Sequence, residues 1–241
     1  MKLDDIKKLQ QKKYRAEFGH FLVEGEHLLL ELHKAAARNP ALLASQLYVT
    51  AAYQHWESPF NTQLISERQM AQIADTHTPQ GILAVVPMAA LTTTAATTPT
   101  RAVYLHEIQD PGNLGTILRT LAWFGGFRCL LSPGSVDPYN PKVVRASMGA
   151  IFHVPLELEV NLESLASRFP RIACLDMQGE PVQSPAFARF DCYLFGNEAR
   201  GVPREQLTSL HARPFTIAGC GAIESLNLAT TVSLCAYELK K

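Results

Sequence analysis

Five polar residues have the types and spacing to do chemistry: Asn113, Arg119, Glu198, Ser225 and Asn227. They fall in three stretches, HEIQDPGNLGTILRTLAWFGG (His106–Gly126), LFGNEARGVP (Leu194–Pro203) and TIAGCGAIESLNLATTVSLCAYEL (Thr216–Leu239). Each reads as an apolar strand, a polar loop and the start of a helix. Backbone amides at such a junction suit an anion, phosphate above all. The first stretch nevertheless lacks both the glycine fingerprint of a dinucleotide fold and the lysine of a nucleotide triphosphatase. It carries an arginine inside the helix instead.

In that helix Leu114, Ile117, Leu118, Leu121 and Ala122 recur at i, i+3, i+4, i+7 and i+8, an amphipathic stripe. Arg119 lies on the flank of the stripe, either as an ordinary surface arginine or as a residue of the site. Helical side chains lean toward the N-terminus, so Arg119 leans over Gly115, whose missing side chain leaves it room to reach the loop. Asn113 is expected to cap the helix. In the second stretch Glu198 stands between Gly196 and Gly201, which let backbone approach a ligand closely. The next helix is expected near Pro203, and Glu198 is either solvated loop charge or a partner for Arg119 if both loops open on one cleft. In the third, Gly219 and Gly221 make the loop pliable and Ser225 is expected as the N-cap. Asn227, in the first turn, has no such routine role.

The elements that must position these residues follow from hydrophobic pattern. From residue 101 onward RAVYLHEI, FRCLLS, HVPLEL, RIACLDM, CYLFG and PFTIA read as strands alternating with helices. That predicts an α/β fold with a largely parallel sheet covered on both faces and ligand loops beyond the carboxyl ends of the strands. The last helix is apolar nearly all round, at Leu226, Leu228, Ala229, Val232, Leu234, Cys235, Tyr237 and Leu239. It is expected to be buried on every face, which points to a partner subunit. Residues 1–90 read as a smaller α/β unit. Its strands are HFLVEG, SQLYVT, TQLIS and QGILAVVP, and Ser66 with Gln69 forms a capping box at SERQMAQIA. LTTTAATTPT, residues 91–100, is expected to be the linker.

The chain has 241 residues, 47% of them hydrophobic, enough for one large domain or two smaller ones, each with its own core. No apolar run approaches the ~18 residues of a membrane span, and MKLDDIKKLQQKKYR has no apolar core of a signal peptide. Five scattered cysteines, with no CxxC pair, indicate a reduced, cytoplasmic chain without metal. Net charge is zero, which excludes a bulk-charge argument for nucleic acid. The dense basic stretch KKLQQKKYR, on an expected N-terminal helix, is either a solvated face or an RNA contact.

DPGNLGTILRTLAWFG, LFGNEARGVP and IESLNLATTVSLCAYE together resemble motifs 1, 2 and 3 of the SpoU/TrmH RNA methyltransferases of the SPOUT class, a likeness covering essentially all of 101–241. KKYRAEFGHFLVEGEHLLLEL and TPQGILAVV resemble the L30e-like substrate-binding domain of many members. The resemblance implies a parallel sheet whose C-terminal segment threads a loop to give a trefoil knot, a path that general rules of chain connectivity would reject. It implies S-adenosylmethionine bound largely by backbone, with Gly196, Ile217 and Leu226 at the cofactor, and Asn113, Arg119, Glu198, Ser225 and Asn227 as the catalytic and structural polar set. It implies 2′-O-methylation of a ribose in structured RNA by a homodimer, ribosomal RNA being favoured over transfer RNA, with neither DNA nor membrane as a partner. Two departures stand out. IAG (Ile217, Ala218, Gly219) replaces the usual Ile-Pro-Met, and LAT follows Asn227 in place of the commoner Val-Ser-Val.

A ribose hydroxyl is a weak acid, so its attack on a sulfonium methyl needs in-line positioning and help with the proton. Guanidinium groups hold their proton up to about pH 12. An arginine here is therefore either a base, as the family is described, or the group that holds a phosphate and stabilises developing alkoxide. Two other classes compete: an RNA-binding protein that keeps the knot without catalysis, and a generic nucleotide-binding α/β enzyme. The complete five-residue polar set argues against the first, and the missing glycine fingerprints against the second.

Overall fold

The computed structural model describes residues 1–91 and 101–240. In chain order these form α1 (Leu3–Lys8), α2 (Lys12–Phe18), β1 (His20–Glu24), α3 (Glu26–Ala36), β2 (Gln46–Val49), β3 (Asn61–Leu64), α4 (Glu67–Ile73) and β4 (Ile82–Pro87). Then come β5 (Arg101–Leu105), α5 (Pro111–Phe124), β6 (Phe127–Leu131), α6 (Pro141–Ser147), β7 (Leu156–Glu157), α7 (Leu165–Arg168), β8 (Ile172–Pro181), β9 (Cys192–Phe195), α8 (Arg204–Ser209), β10 (Arg213–Thr216) and α9 (Leu228–Glu238). The described residues divide into two compact units, one drawn from residues 1–91 and Asp137–His153, the other from residues 101–136 and 154–240. Of the expected linker only Leu91 is described, closing a 3-10 turn, Met88–Leu91; residues 92–100 lie outside the described residues.

In the first unit β4 lies between β1 and β2 and runs antiparallel to both, while β2 pairs with β3 in parallel. The apolar run ILAVVP is buried along β4, and Leu22, Tyr48, Leu83 and Val85 close a core with Ile6, Leu9, Met70 and Ile73. The Ser66–Gln69 capping box forms at α4 as expected. The single basic helix expected at the N-terminus is instead two, and Arg15 accounts for the break. Its Nη1 donates to the carbonyls of Leu9 (2.8 Å) and Gln10 (2.9 Å), the groups left without helical partners where α1 ends. Its Nε and Nη2 donate to Asp137 Oδ2, at 2.8 and 2.5 Å. Arg15 is only 2% exposed, so this member of the basic stretch is a buried structural ion and not a surface charge.

In the second unit all six expected strands form one parallel sheet in the order β10-β8-β9-β5-β6-β7. Tyr104, Leu130, Leu194 and Cys174 face a common core with Leu162, Leu165 and Ile172. β8 runs longer than its apolar segment, and its register against β10 shifts between Pro214 and Phe215. The stripe of α5 is buried at Leu114, Ile117, Leu118 and Leu121. α9 packs beside it, with Thr120 Oγ1 and Ser233 Oγ 2.8 Å apart and the Phe124 and Tyr237 rings 6.3 Å apart. Within the single chain α9 is buried on one side. Ala229, Val232, Cys235 and Ala236 are buried, whereas Leu234 (41%) and Tyr237 (51%) are exposed. Cys129, Cys174, Cys192 and Cys235 are buried free thiols and Cys220 is exposed. Among the described residues no helix is long and apolar enough to cross a membrane.

Candidate active site

From β5 the chain builds outward through β6 and β7, then returns to place β9 and β8 on the other side of β5. The order therefore reverses between β5 and β9, and the crevice beyond their carboxyl ends is where open α/β sheets hold ligands. A cleft of about 1090 Å³ occupies that place, walled by the loops after β5, β9 and β10 and by the outer part of β8. Asn113, Gly196, Glu198, Ile217, Ser225, Leu226 and Asn227 line it.

The loop after β5 enters α5 through Asp110, whose Oδ1 accepts from the Asn113 amide at 2.7 Å, with Pro111 in the first turn. Asp110, not Asn113, is thus the N-cap. Asn113, one turn in, is left with its carboxamide for other partners. Its Nδ2 donates to Glu198 Oε1 at 3.2 Å and its Oδ1 accepts from Asn227 Nδ2 at 2.9 Å. At the far end Asn227 Oδ1 accepts from the Thr230 amide at 3.2 Å, so Asn227 caps α9 in place of Ser225. Ser225 lies two residues upstream in irregular, exposed chain lining the cleft. With both ends of the Asn227 amide engaged, one hydrogen-bonded line, Glu198–Asn113–Asn227, joins the three loops.

Arg119 departs from expectation. Glu198 meets Asn113 and not Arg119, and Arg119 is exposed on α5 and absent from the cleft lining. Helix geometry accounts for it: positions six apart on an α-helix point about 120° apart, so Arg119 leaves α5 in a different direction from Asn113.

Gly196 is required by space. A Cβ built there would stand 2.5 Å from the carbonyl carbon of Gly201, 2.7 Å from its Cα and 2.9 Å from the Val202 nitrogen. The loop doubles back on itself there, with Asn197 and Gly201 exchanging backbone hydrogen bonds at 3.0 and 2.9 Å. Gly201 takes the left-handed φ of 66° that closes the turn. The cleft is acidic on balance: Asp110, Asp176, Glu198 and Glu224 face it against Arg200 and Arg204. Burial pushes the Cys174 thiol in its wall up to about 12, which keeps it protonated and unreactive. Burial also lowers the pKa of His106, at the end of β5, against the opposing pull of Glu107.

Sequence reasoning passed over Asn197 and Glu107. Asn197 is buried and ties its own loop together, a role that the short Asn-to-Gly spacing of GNEARG could have signalled. Glu107 has a left-handed φ of 49°, for which a glutamate offers no sequence signal.

The SpoU rRNA Methylase family matches residues 100–237, and an MRM3-like substrate binding domain matches residues 2–84. The 23S rRNA (guanosine(2553)-2′-O)-methyltransferase RlmP of Bacillus subtilis is 30% identical over 99% of this chain and 96% of its own length. A solved structure of a putative RNA methyltransferase of the TrmH family from Porphyromonas gingivalis superposes with a TM-score of 0.82 at 28% identity, covering 99% of this chain and 96% of that one. An AdoMet-bound rRNA methyltransferase from Sinorhizobium meliloti shares the fold, with a TM-score of 0.80 at 24% identity over 98% and 93% of the two chains. The three loops that meet at the cleft, and the sheet that carries them, are therefore those of a known group: the chain belongs to the SpoU rRNA methylase family.

Proposed function

We propose that this chain transfers a methyl group from S-adenosylmethionine to the 2′-hydroxyl of a ribose in ribosomal RNA. The observation that carries the reading is the Glu198–Asn113–Asn227 line, which gathers one polar residue from each of three loops at the mouth of a single cleft. The donor set fits the cofactor. Gly196, Ile217 and Leu226 line the cleft, and the surplus of carboxylates favours a cation. Bound there, S-adenosylmethionine supplies an electrophilic methyl on cationic sulfur. The chain's own residues orient the incoming ribose: Asn113 and Glu198 by hydrogen bonds to its hydroxyl, Ser225 from the opposite loop, and Asn227 by holding Asn113.

The working form on this reading is a homodimer. Arg119 and Trp123 are one helical turn apart and share a face of α5. Trp123 is 85% exposed, and Leu234 and Tyr237 are exposed on the adjacent α9. A second copy seated on that apolar face would place Arg119 within the interface, where it would reach the partner's cleft and not its own. A threaded C-terminal segment is consistent with the return of the chain from edge strand β10 to α5. The first unit takes the RNA: Lys12 and Lys13 are exposed, and Lys13 Nζ lies 5.5 Å from the Tyr14 ring centroid, a cationic and aromatic surface suited to phosphate and base. The setting is the cytoplasm.

The test is transfer of labelled methyl from S-adenosylmethionine to ribosomal RNA from cells lacking the gene, followed by mapping of the new 2′-O-methyl nucleotide. Cofactor and RNA binding without any transfer would return the non-catalytic alternative. Preferential labelling of transfer RNA would overturn the substrate.

A further inference from the structure

Glu198 sits on an exposed loop, and its side chain reaches Asn113 across a 3.2 Å hydrogen bond. Its position must therefore be set by the residues on either side. Asn197 is 8% exposed and its carboxamide is used at both ends. Oδ1 accepts from the amides of Ala199 (3.0 Å) and Arg200 (3.1 Å), which shapes the loop. Nδ2 donates to the carbonyl of Glu107 at 2.8 Å, which ties the loop to the end of β5.

Glu107 is built to receive that bond. Its left-handed backbone is held by a 2.7 Å bond from its amide to Ser132 Oγ. Its carbonyl also accepts from Gln109 Nε2 at 3.0 Å. The Glu107 carboxylate meets Arg200 Nη2 at 2.5 Å, a second tie on the other side of Glu198. Arg200 is 72% exposed, so that ion pair is screened and weak. The Asn197 bond is part-buried, and its donor belongs to a side chain that is buried, where losing a partner costs more than at an exposed ion pair. Of the two ties, the Asn197 bond is the stronger.

We infer that Asn197 is a positioning residue for the methyl transfer: by donating to the Glu107 carbonyl it anchors the Gly196–Gly201 loop to the sheet and holds Glu198 at Asn113. The inference rests on the proposed function, because Glu198 matters only if the cleft does that chemistry.

The test is a double-mutant cycle in the full chain, with Asn197→Asp, Asn197→Ala, Glu198→Gln and the two pairwise combinations. Single-turnover methyl transfer to ribosomal RNA, S-adenosylmethionine affinity and melting temperature are measured for each. Asn197→Asp keeps the acceptor for Ala199 and Arg200 but cannot donate to Glu107. It is expected to lower the rate about tenfold or more. In its background Glu198→Gln should cost almost nothing further, because a carboxylate that has lost its position has little left to contribute. A purely structural role would lower melting temperature and leave the Glu198 effect whole. Multiplicative rate losses, or a wild-type rate in Asn197→Asp, overturn the inference. If Asn197→Ala fails to fold, the Asp variant completes the cycle by itself. A wild-type chain that transfers no methyl overturns the function and this inference together, whereas an active wild type with multiplicative variants overturns the inference alone.

Discussion

Substituting Gly196 by alanine tests whether the loop after β9 walls the cofactor site. The added Cβ would lie 2.5, 2.7 and 2.9 Å from three backbone atoms of Gly201 and Val202. Unstrained contacts between carbons lie near ~3.5–4.0 Å, so the overlap is about 1 Å. No rotamer relieves it, since all three atoms are main chain. The 197–201 turn must lift, which strains the paired Asn197–Gly201 bonds of 3.0 and 2.9 Å. Overpacking costs about 1–3 kcal/mol, and two weakened hydrogen bonds cost a similar amount, about 0.5–1.5 kcal/mol each. Both figures describe one relaxation and are not summed. Because a wall of the proposed site exists only with the turn closed, a loss of about 2–3 kcal/mol in closing it reads as roughly 30- to 150-fold weaker S-adenosylmethionine binding. Isothermal titration measures that directly, with thermal unfolding alongside. Gly201→Ala is the control. It meets no atom within 4 Å but must keep a φ of 66°, which costs about 1–2 kcal/mol without a clash. It should be the milder variant. If Gly196→Ala binds the cofactor within about threefold of wild type and melts unchanged, the loop does not wall the site and the reasoning from the Cβ contacts is wrong.

Arg119→Ala should fold and bind cofactor normally, since the residue is exposed and outside the cleft, yet lower single-turnover methyl transfer by about two orders of magnitude. A rate near wild type would make it ordinary surface charge. Arg15→Met leaves the Asp137 carboxylate buried without its cation and should destabilise the first unit by about 3–5 kcal/mol in urea unfolding; an unchanged midpoint would refute a buried structural role. Leu234→Asp places a charge on the apolar face of α9 and should convert a dimeric mass by light scattering to a monomeric one. A variant that stays dimeric would move the interface elsewhere.

What could be read from the sequence was whatever depends on short-range pattern. The six strands of the parallel sheet, the buried stripe of α5 and the Ser66 capping box each rest on spacings of two to eight residues, and they form where those spacings place them. The three polar loops were legible for the same reason, because a strand-end loop must fall at the carboxyl edge of a parallel sheet. Capping failed at one-residue resolution. Asp110 and Asn113 are both good caps three positions apart, as are Ser225 and Asn227 two apart, and only the point at which the backbone enters helical geometry selects between them. Partners were decided by tertiary structure alone. Arg15 reads like its lysine neighbours, but folding brings Asp137 from 122 residues away and turns the arginine inward. Glu198 and Arg119 carry opposite charges that suggest a pair, yet the rotation of α5 gives Glu198 to Asn113 and turns Arg119 outward. The Glu107 carbonyl that receives Asn197 lies 90 residues away in the chain. Local pattern sets which elements form and where their loops open. The pairing of side chains from distant elements depends on helix rotation and strand order, which only the packed core determines.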